Sequence, residues 1–458
     1  MEGINQFIEH PIETQQRVLF SLLSQAKNTE YGKLHHFEEI KSYEDFNKQV
    51  PIVSYEDFEP FIENARQGIS DVFWPGKIKH FAKSSGTTNA KSKFIPISDE
   101  SLQNCHYKAG KDLLAIYINN HRDSNLFKFK NLRLGGSAEL YESFGTKFGD
   151  LSAILIENLP FWVERTTTPS REVSLMSEWE TKLKAIVSEV KNKDVGSLTG
   201  VPSWMMVLLQ RVLKDIGKKS ISEVWPNLEV FFHGGISFVP YREQYKQLIG
   251  KDIRYYEIYN ASEGFFGIQD RFGSDEMLLM LDYGIFYEFI PMDTFGTENA
   301  KAVSLENVEL GKNYAVVITT NGGLWRYLIG DTIRFTDLKP FRFKISGRTK
   351  HYINAFGEEL MIDNVEAALS KACQETNAKI TDYTGAPVYM KDGESGSHEW
   401  MIEFSTEPND FGRFSEIFDE TLKSLNSDYE AKRYNNMTLK PPIIHKARTN
   451  LFYDWMAS

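Results

Sequence analysis

Residues 81–96 read FAKSSGTTNAKSKFIP, and the rest of the chain is read outward from them. The hydroxyl residues Ser84, Ser85, Thr87 and Thr88 surround Gly86, and Lys91 and Lys93 follow before a short apolar run. A glycine lets the backbone turn so that several N–H groups converge on one point, and hydroxyl and ammonium groups add donors for an anion. The segment is therefore a candidate loop for a nucleotide triphosphate. Its competing reading is a polar surface turn, because Ser, Thr, Asn and Gly dominate ordinary loops. It is not the common NTPase phosphate loop, which needs a second glycine before the lysine where Ala90 stands.

Composition narrows the class. The chain has 458 residues, enough for two or more domains. Its net charge of −11 argues against a nucleic-acid partner, which calls for a basic face. No apolar run reaches the roughly 18 residues of a membrane span. The opening MEGINQFIEHPIETQQ lacks a basic segment followed by an apolar one, so no secretory signal is expected. Cys105 and Cys373 are far apart and have no metal-ligand spacing. A reduced, cytoplasmic protein fits this pattern. Whether it is a monomer or a dimer is not legible.

Hydrophobic periodicity predicts helices over 12–27, 99–119, 177–190 and 201–216, with Ser98 or Asp99 capping the second. Strands are predicted over 78–82 and 228–233, and then at 253–259, 277–281, 286–290, 314–319, 332–336 and 341–345. A second unit is expected to begin near Gly347. It reads as a helix over 362–376, strands over 386–391 and 399–405, and a helix over 409–424. The fold class is mixed α/β: a large N-terminal domain, 1–346, with sheets and a barrel-like part, and a small C-terminal domain, 347–458.

Four further segments carry chemistry, each with a plainer alternative. In FFHGGISFVP, residues 231–240, an apolar strand runs into Gly234 and Gly235, so that backbone can approach a flat ligand; the alternative is a strand-ending turn. In YYEIYNASEGFFGIQ, residues 255–269, a strand ends at Asn260, Ala261 and Ser262, and Glu263 follows. A carboxylate there can hold a phosphate-bound Mg²⁺, which takes only one or two protein carboxylates; the alternative is a first-turn helix residue. In WRYLIGDTIRF, residues 325–335, Asp331 can accept both ribose hydroxyls, or it belongs to a Gly-Asp hairpin turn. In FKISGRTKHYINAFGEEL, residues 343–360, Arg348 lies at the suspected boundary and can bond sugar or phosphate oxygens, or it is a linker arginine.

In this order and spacing the segments resemble the adenylate-forming superfamily. More closely, the chain resembles the auxin-responsive (Gretchen Hagen) family of acyl acid amido synthetases, in its bacterial branch. The resemblance runs through nearly the whole chain. It matches residues 84–93 to the phosphate loop, 259–263 to the adenine and carboxylate motif, 327–331 to the Tyr-x-x-Gly-Asp ribose motif and 347–350 to the hinge. TGVPSWMMVLL, residues 199–209, resembles the segment beside the acyl pocket. The resemblance implies a ligase with ATP and Mg²⁺ as cofactors and a small carboxylic acid and an amino acid as partners. The acid is adenylated with release of pyrophosphate, and the amine then displaces AMP.

The implied roles fall on particular residues. Ser84, Ser85, Gly86, Thr87, Thr88 and Lys91 grip phosphates. Gly234, Gly235, Tyr259, Asn260, Ala261 and Ser262 line the adenine. Glu263 holds the metal, and Asp331 with Arg348 binds ribose. Val201, Trp204 and Met205 form the acyl pocket, and the small domain rotates about Thr349 and Lys350. The family continues past the segment matching residues 450–456 into a tail bearing a lysine, whereas this chain ends at Ser458; Lys446 is a weak substitute. Two alternatives share the resemblance: an acyl-CoA ligase using the same first step, and a non-catalytic nucleotide- or acyl-binding homologue.

Overall fold

A computed structural model of the chain describes residues 1–84, 93–135, 140–349, 352–358, 360–391 and 394–452. Four sheets organise it. Strands β1 (His80–Ser84) and β2 (Lys93–Ile97) pair as an antiparallel hairpin. Strand β3 (Lys130–Leu134) belongs elsewhere, but β4 (Tyr141–Ser143) and β5 (Thr146–Gly149) complete that first sheet in the order β2-β1-β5-β4.

The main sheet has twelve strands. Its parallel half is built from β3, β6 (Thr167–Thr168), β7 (Val195–Gly200), β8 (Val230–Gly234) and β9 (Arg254–Ala261). The antiparallel half follows: β10 (Gly264–Ile268), β11 (Met277–Leu279), β12 (Ile285–Pro291), β13 (Val303–Ser304), β14 (Asn313–Thr320), β15 (Tyr327–Leu338) and β16 (Phe341–Arg348). The order is β13-β12-β14-β15-β16-β11-β10-β9-β8-β7-β3-β6. The strands predicted from residue 277 to 345 fall in the antiparallel half of this one long sheet, with β13 at its edge.

Alternation along each strand serves two cores. Val230 and Phe232 face one apolar cluster, and Phe231 between them faces the other. The helices that cover these faces include α1 (Pro11–Ala26), α2 (Lys108–Asn120), α3 (Leu151–Glu157), α4 (Trp179–Val190), α5 (Pro202–Ile216) and α6 (Arg242–Ile249). Helix α5 starts with Pro202, whose missing N–H costs nothing in a first turn, and stops at Gly217 in the left-handed region (φ 73°).

After β16 the chain makes a short pair, β17 (Tyr352–Ile353) with β18 (Leu360–Met361). Helix α7 (Ile362–Thr376), β19 (Lys379–Val388), β20 (Ser397–Thr406), α8 (Phe411–Leu425), α9 (Ser427–Arg433) and β21 (Ile443–Lys446) form a small α/β layer. Its sheet order is β19-β20-β21. Phe356, Trp400, Phe414 and Phe418 of this layer share one apolar cluster with Met206 and Leu209 of α5.

The structure departs from the sequence expectation at four places. The helix expected over 99–119 begins at Ser98, whose Oγ accepts from Ser101 N at 2.9 Å, but Ser101–Tyr107 is wound as a wide π-type turn before α2. Glu263 is not in a helix; with Ser262 it makes the tight turn between β9 and β10. Gly330 and Asp331 are not a hairpin turn but lie inside the twelve-residue β15. Strand β19 starts at Lys379, well before the predicted 386, because it runs opposite nearly all of β20.

Candidate active site

The C-terminal ends of the parallel strands lie side by side: Leu134 opposite Gly200, Gly200 opposite His233, and Gly234 opposite Ile258. In open α/β sheets this is where ligands bind. Strand β9 closes the row, and its turn into β10 presents Glu263.

Glu263 sits at the foot of this crevice, surrounded by protein yet partly open to solvent. Burial pushes its carboxyl up to about 7, against the pull of the nearby Lys93 ammonium. Such a group charges when a cation arrives. A phosphate-bound Mg²⁺ suits a single carboxylate of this kind, and among the described residues no cluster of three or more His, Cys, Asp or Glu offers an all-protein metal cage.

Asp331 faces the same space. Its Oδ2 accepts the Tyr259 hydroxyl proton and its Oδ1 accepts from Arg348 Nε at 2.6 Å. The three residues come from β9, β15 and β16, and a bulge brings them together. Between the Ala315–Thr332 and Val317–Leu328 pairs, β14 has one residue where β15 has three. Gly330 takes φ 93° there, a conformation that favours glycine. Thr349 N donates to the Gly330 carbonyl at 2.8 Å, which ties the start of the linker to the bulge. Each Asp331 oxygen keeps a second lone pair for a sugar hydroxyl. Asp331→Asn is expected to raise the KM for ATP about tenfold to a hundredfold, the range for hydrogen bonds to a charged group, with the KM for the acid little changed. Steady-state kinetics with each substrate varied in turn checks this.

The remaining candidates divide. Tyr259 is 8% exposed and packs on Phe266, with ring centroids 4.9 Å apart, so it positions Asp331. Asn260, Ala261 and Ser262 are half-buried along the end of β9. Gly234 owes its lack of a side chain to packing: a Cβ would stand 2.4 Å from the Ile258 carbonyl oxygen. Gly235 is exposed at φ 85° and ends the strand. Ser84 and Lys93 pair across the β1–β2 hairpin and mark the mouth of the phosphate-loop candidate. Ser85, Gly86, Thr87, Thr88, Lys91 and Lys350 lie outside the described residues.

In the acyl segment, Val201 and Trp204 are half-buried at the start of α5, whereas Met205 is sealed in the core against Gly200. Met205 can shape a pocket only from behind. Lys446 lies on the surface with Glu407, so it is not the cation of this site.

The small layer contributes residues that the motifs did not flag. Lys432 of α9 is 7% exposed and places its Nζ 3.9 Å above the Trp204 ring. Ser203 Oγ donates to the Phe356 carbonyl at 2.8 Å, and the Tyr241 hydroxyl donates to the Ala355 carbonyl at 2.6 Å. The loop carrying those carbonyls is held by Glu358. Its carboxylate accepts from Ala355 N at 3.0 Å and Phe356 N at 2.7 Å and pairs with His398 Nε2 at 2.8 Å, with neither side chain exposed. Only the run Gly357-Glu358 beside a suspected boundary hinted at this. Lys432→Met removes a cation–π contact worth about 0.5–2 kcal/mol. It is expected to speed proteolytic cleavage near Thr349 roughly threefold to thirtyfold at unchanged far-ultraviolet circular dichroism.

Comparison with known proteins gives the family and the fold. The fold is that of acyl-activating ligases. Over 97% of this chain and 88% of the other, it superposes on the structure titled GH3.15 acyl acid amido synthetase with a TM-score of 0.63 at 18% identity. On 2-hydroxyisobutyryl-CoA ligase in its thioesterification state the TM-score is 0.62 at 14% identity, with the same coverage. Residues 1–253 match the GH3 family N-terminal domain, 278–348 the central domain and 363–458 the C-terminal domain, and the chain belongs to the GH3 family. Among curated relatives, indole-3-acetic acid-amido synthetase GH3.2 of Arabidopsis thaliana is 24% identical over 84% of this chain and 83% of its own. Jasmonoyl-L-amino acid synthetase JAR6 of Nicotiana attenuata is 26% identical over 70% of this chain and 66% of its own.

Proposed function

We propose that this chain is an ATP-dependent acid–amino acid ligase. The observation that carries the reading is the Tyr259–Asp331–Arg348 cluster beside Glu263, at the ends of the parallel strands. A carboxylate is a poor electrophile. In the first step one of its oxygens attacks the α-phosphorus of ATP, the bond to the β-phosphate oxygen breaks, and pyrophosphate leaves. In the second step an amino-acid amine attacks the acyl carbon, the C–O bond to AMP breaks, and the amine proton passes to solvent. Asp331 holds the ribose, with Tyr259 and Arg348 fixing the carboxylate's direction. Glu263 would hold a Mg²⁺ ion, which would offset charge on the phosphate oxygens. Ser84 and the loop residues Ser85–Thr88 and Lys91 grip the phosphates and stabilise the charge that builds on them in the transition state.

We assign residues 1–346 to an adenylation unit and 347–458 to a lid that turns at Thr349 and Lys350 between the two steps. A CoA ligase shares the first step, and a CoA ligase shares the fold. Mixing ATP with a panel of carboxylic acids, then adding amino acids or coenzyme A, separates the readings by product mass. An amide supports the proposal; a thioester alone overturns the acceptor, and no pyrophosphate with any acid overturns the enzyme.

A further inference from the structure

The sheet face that is apolar beneath β8 turns polar beneath β7 and β3. Asn131 Nδ2 donates to Ser197 Oγ at 2.8 Å and to Thr199 Oγ1 at 3.0 Å, which puts all three residues on that face. Arg133 pairs with Thr199 across the ladder and is two residues beyond Asn131, so strand alternation places it there too. The charged and titratable groups around it are Glu164, Arg171 and Tyr107. The Tyr107 hydroxyl is already committed, donating to the Leu155 carbonyl at 3.0 Å. Arg171 stands 3.8 Å from Glu164.

Among the described residues, two guanidinium groups thus share one carboxylate, an excess of one positive charge. Burial draws Arg133 down to about 10, with the Glu164 carboxylate pulling the other way and Arg171 adding to the fall. Its Nε is buried and meets no acceptor among the described residues. A buried, charged donor left open costs free energy, and a bound oxyanion would remove that cost.

Position says which oxyanion. In the order β9-β8-β7-β3, Arg133 is three strands from the strand that leads into Glu263. At about 4.8 Å per strand that is about 14 Å. A carboxylate being activated near Glu263 cannot also reach Arg133. We infer that Arg133 and Arg171, at the end of β3, bind a second carboxylate at the far end of the acid, so that the acid used by this chain is an elongated dicarboxylate. The identity of the reacting end rests on the ligase reading; the anion site itself does not.

Calorimetric titration without ATP tests the site. The probes are adipate, azelate and dodecanedioate, each beside its monomethyl ester, which keeps the length and removes one charge. Wild type is expected to bind at least one of the two longer diacids about tenfold or more tighter than its ester. Arg133→Gln and Arg171→Gln should each collapse that ratio towards one, Arg133→Lys should restore part of it, and Glu164→Gln should increase it. Equal affinity for diacid and ester in wild type, or a ratio that survives Arg133→Gln, overturns the inference. Should Arg133→Gln fail to fold, Arg171→Gln, whose side chain is 44% exposed, carries the same comparison. Pyrophosphate release separates the two readings. Release with acid and ester alike, with no diacid preference, sinks the anion site and leaves the ligase; tight diacid binding with no release from any acid sinks the ligase and leaves the site.

Discussion

Glu263→Gln is expected to lower ATP-dependent pyrophosphate release by about two to three orders of magnitude and, above pH 7, to make the unliganded protein more stable. Both effects follow from one placement. The turn between β9 and β10 holds a carboxyl whose surroundings push it from 4.5 up to about 7. Between those two values the folded protein keeps a proton that the unfolded chain has lost. Stability therefore falls as pH rises through that window, and the loss persists above it. Glutamine has no proton to lose and escapes the loss. Glu257 and Asp150 are also raised by burial, to about 7 and about 6, but they are present in both proteins and cancel in the comparison. Urea titrations of the two proteins at pH 5 and pH 8, with pyrophosphate assays beside them, measure both outcomes. A wild-type rate of release in the variant would remove Glu263 from the site.

Arg326→Met is expected to cost about 3–5 kcal/mol of folding stability, the range for breaking one side of a buried ion pair. Arg326 and Glu288 are 2% and 1% exposed at their side chains. The pairing is bidentate, Nε to Oε2 and Nη2 to Oε1, each at 2.8 Å. The remaining donors reach the carbonyls of Val50 at 2.6 Å and Asn47 at 3.1 Å, and Asn47 Oδ1 at 2.7 Å. Methionine would leave Glu288 with the Tyr43 hydroxyl, at 2.8 Å, as its remaining side-chain partner. Arg326 also stands at φ 43°, immediately before β15 and five residues before Asp331, so its loss should loosen the Asp331 cluster as well. The paired change Arg326→Met with Glu288→Leu should recover much of the stability, because no charge is then left buried alone. Urea midpoints of the single and double variants decide it. A cost below about 1 kcal/mol would mean that water reaches the pair.

The sequence made the fold class legible because apolar runs ending in small residues mark parallel strands, and β8 and β9 fell within two residues of their predicted bounds. The sequence singled out Asp331 and Arg348 as motifs of one candidate site, but their mutual contact was not legible. It depends on the irregular ladders on both sides of β15, and extra residues in a strand leave no mark in a hydrophobic pattern. The sequence read Gly330-Asp331 as a turn for the same reason: glycine before aspartate is common in turns, and only the ladder on both sides reveals a strand. Arg326, Arg133 and Glu358 escaped because a charged residue scores as surface in any one-dimensional reading, whereas partners 38 residues away for Arg326 and 40 for Glu358 are what permit their burial.

The loop at residues 354–358 has unequal joints. On its own side, a dry carboxylate with three donors grips it, and stripping such a group costs several kcal/mol. On the large unit's side, the Ser203 and Tyr241 hydroxyls and the Asn354 amide, which donates to the Gly235 carbonyl at 3.4 Å, hold it through neutral hydrogen bonds, each worth about 1 kcal/mol. Under any pull between the two units the outer joint parts first, and the loop leaves whole, like a key drawn from a lock with its teeth uncut. It can then return to Ser203 and Tyr241 in the same register, with no shape to be found again.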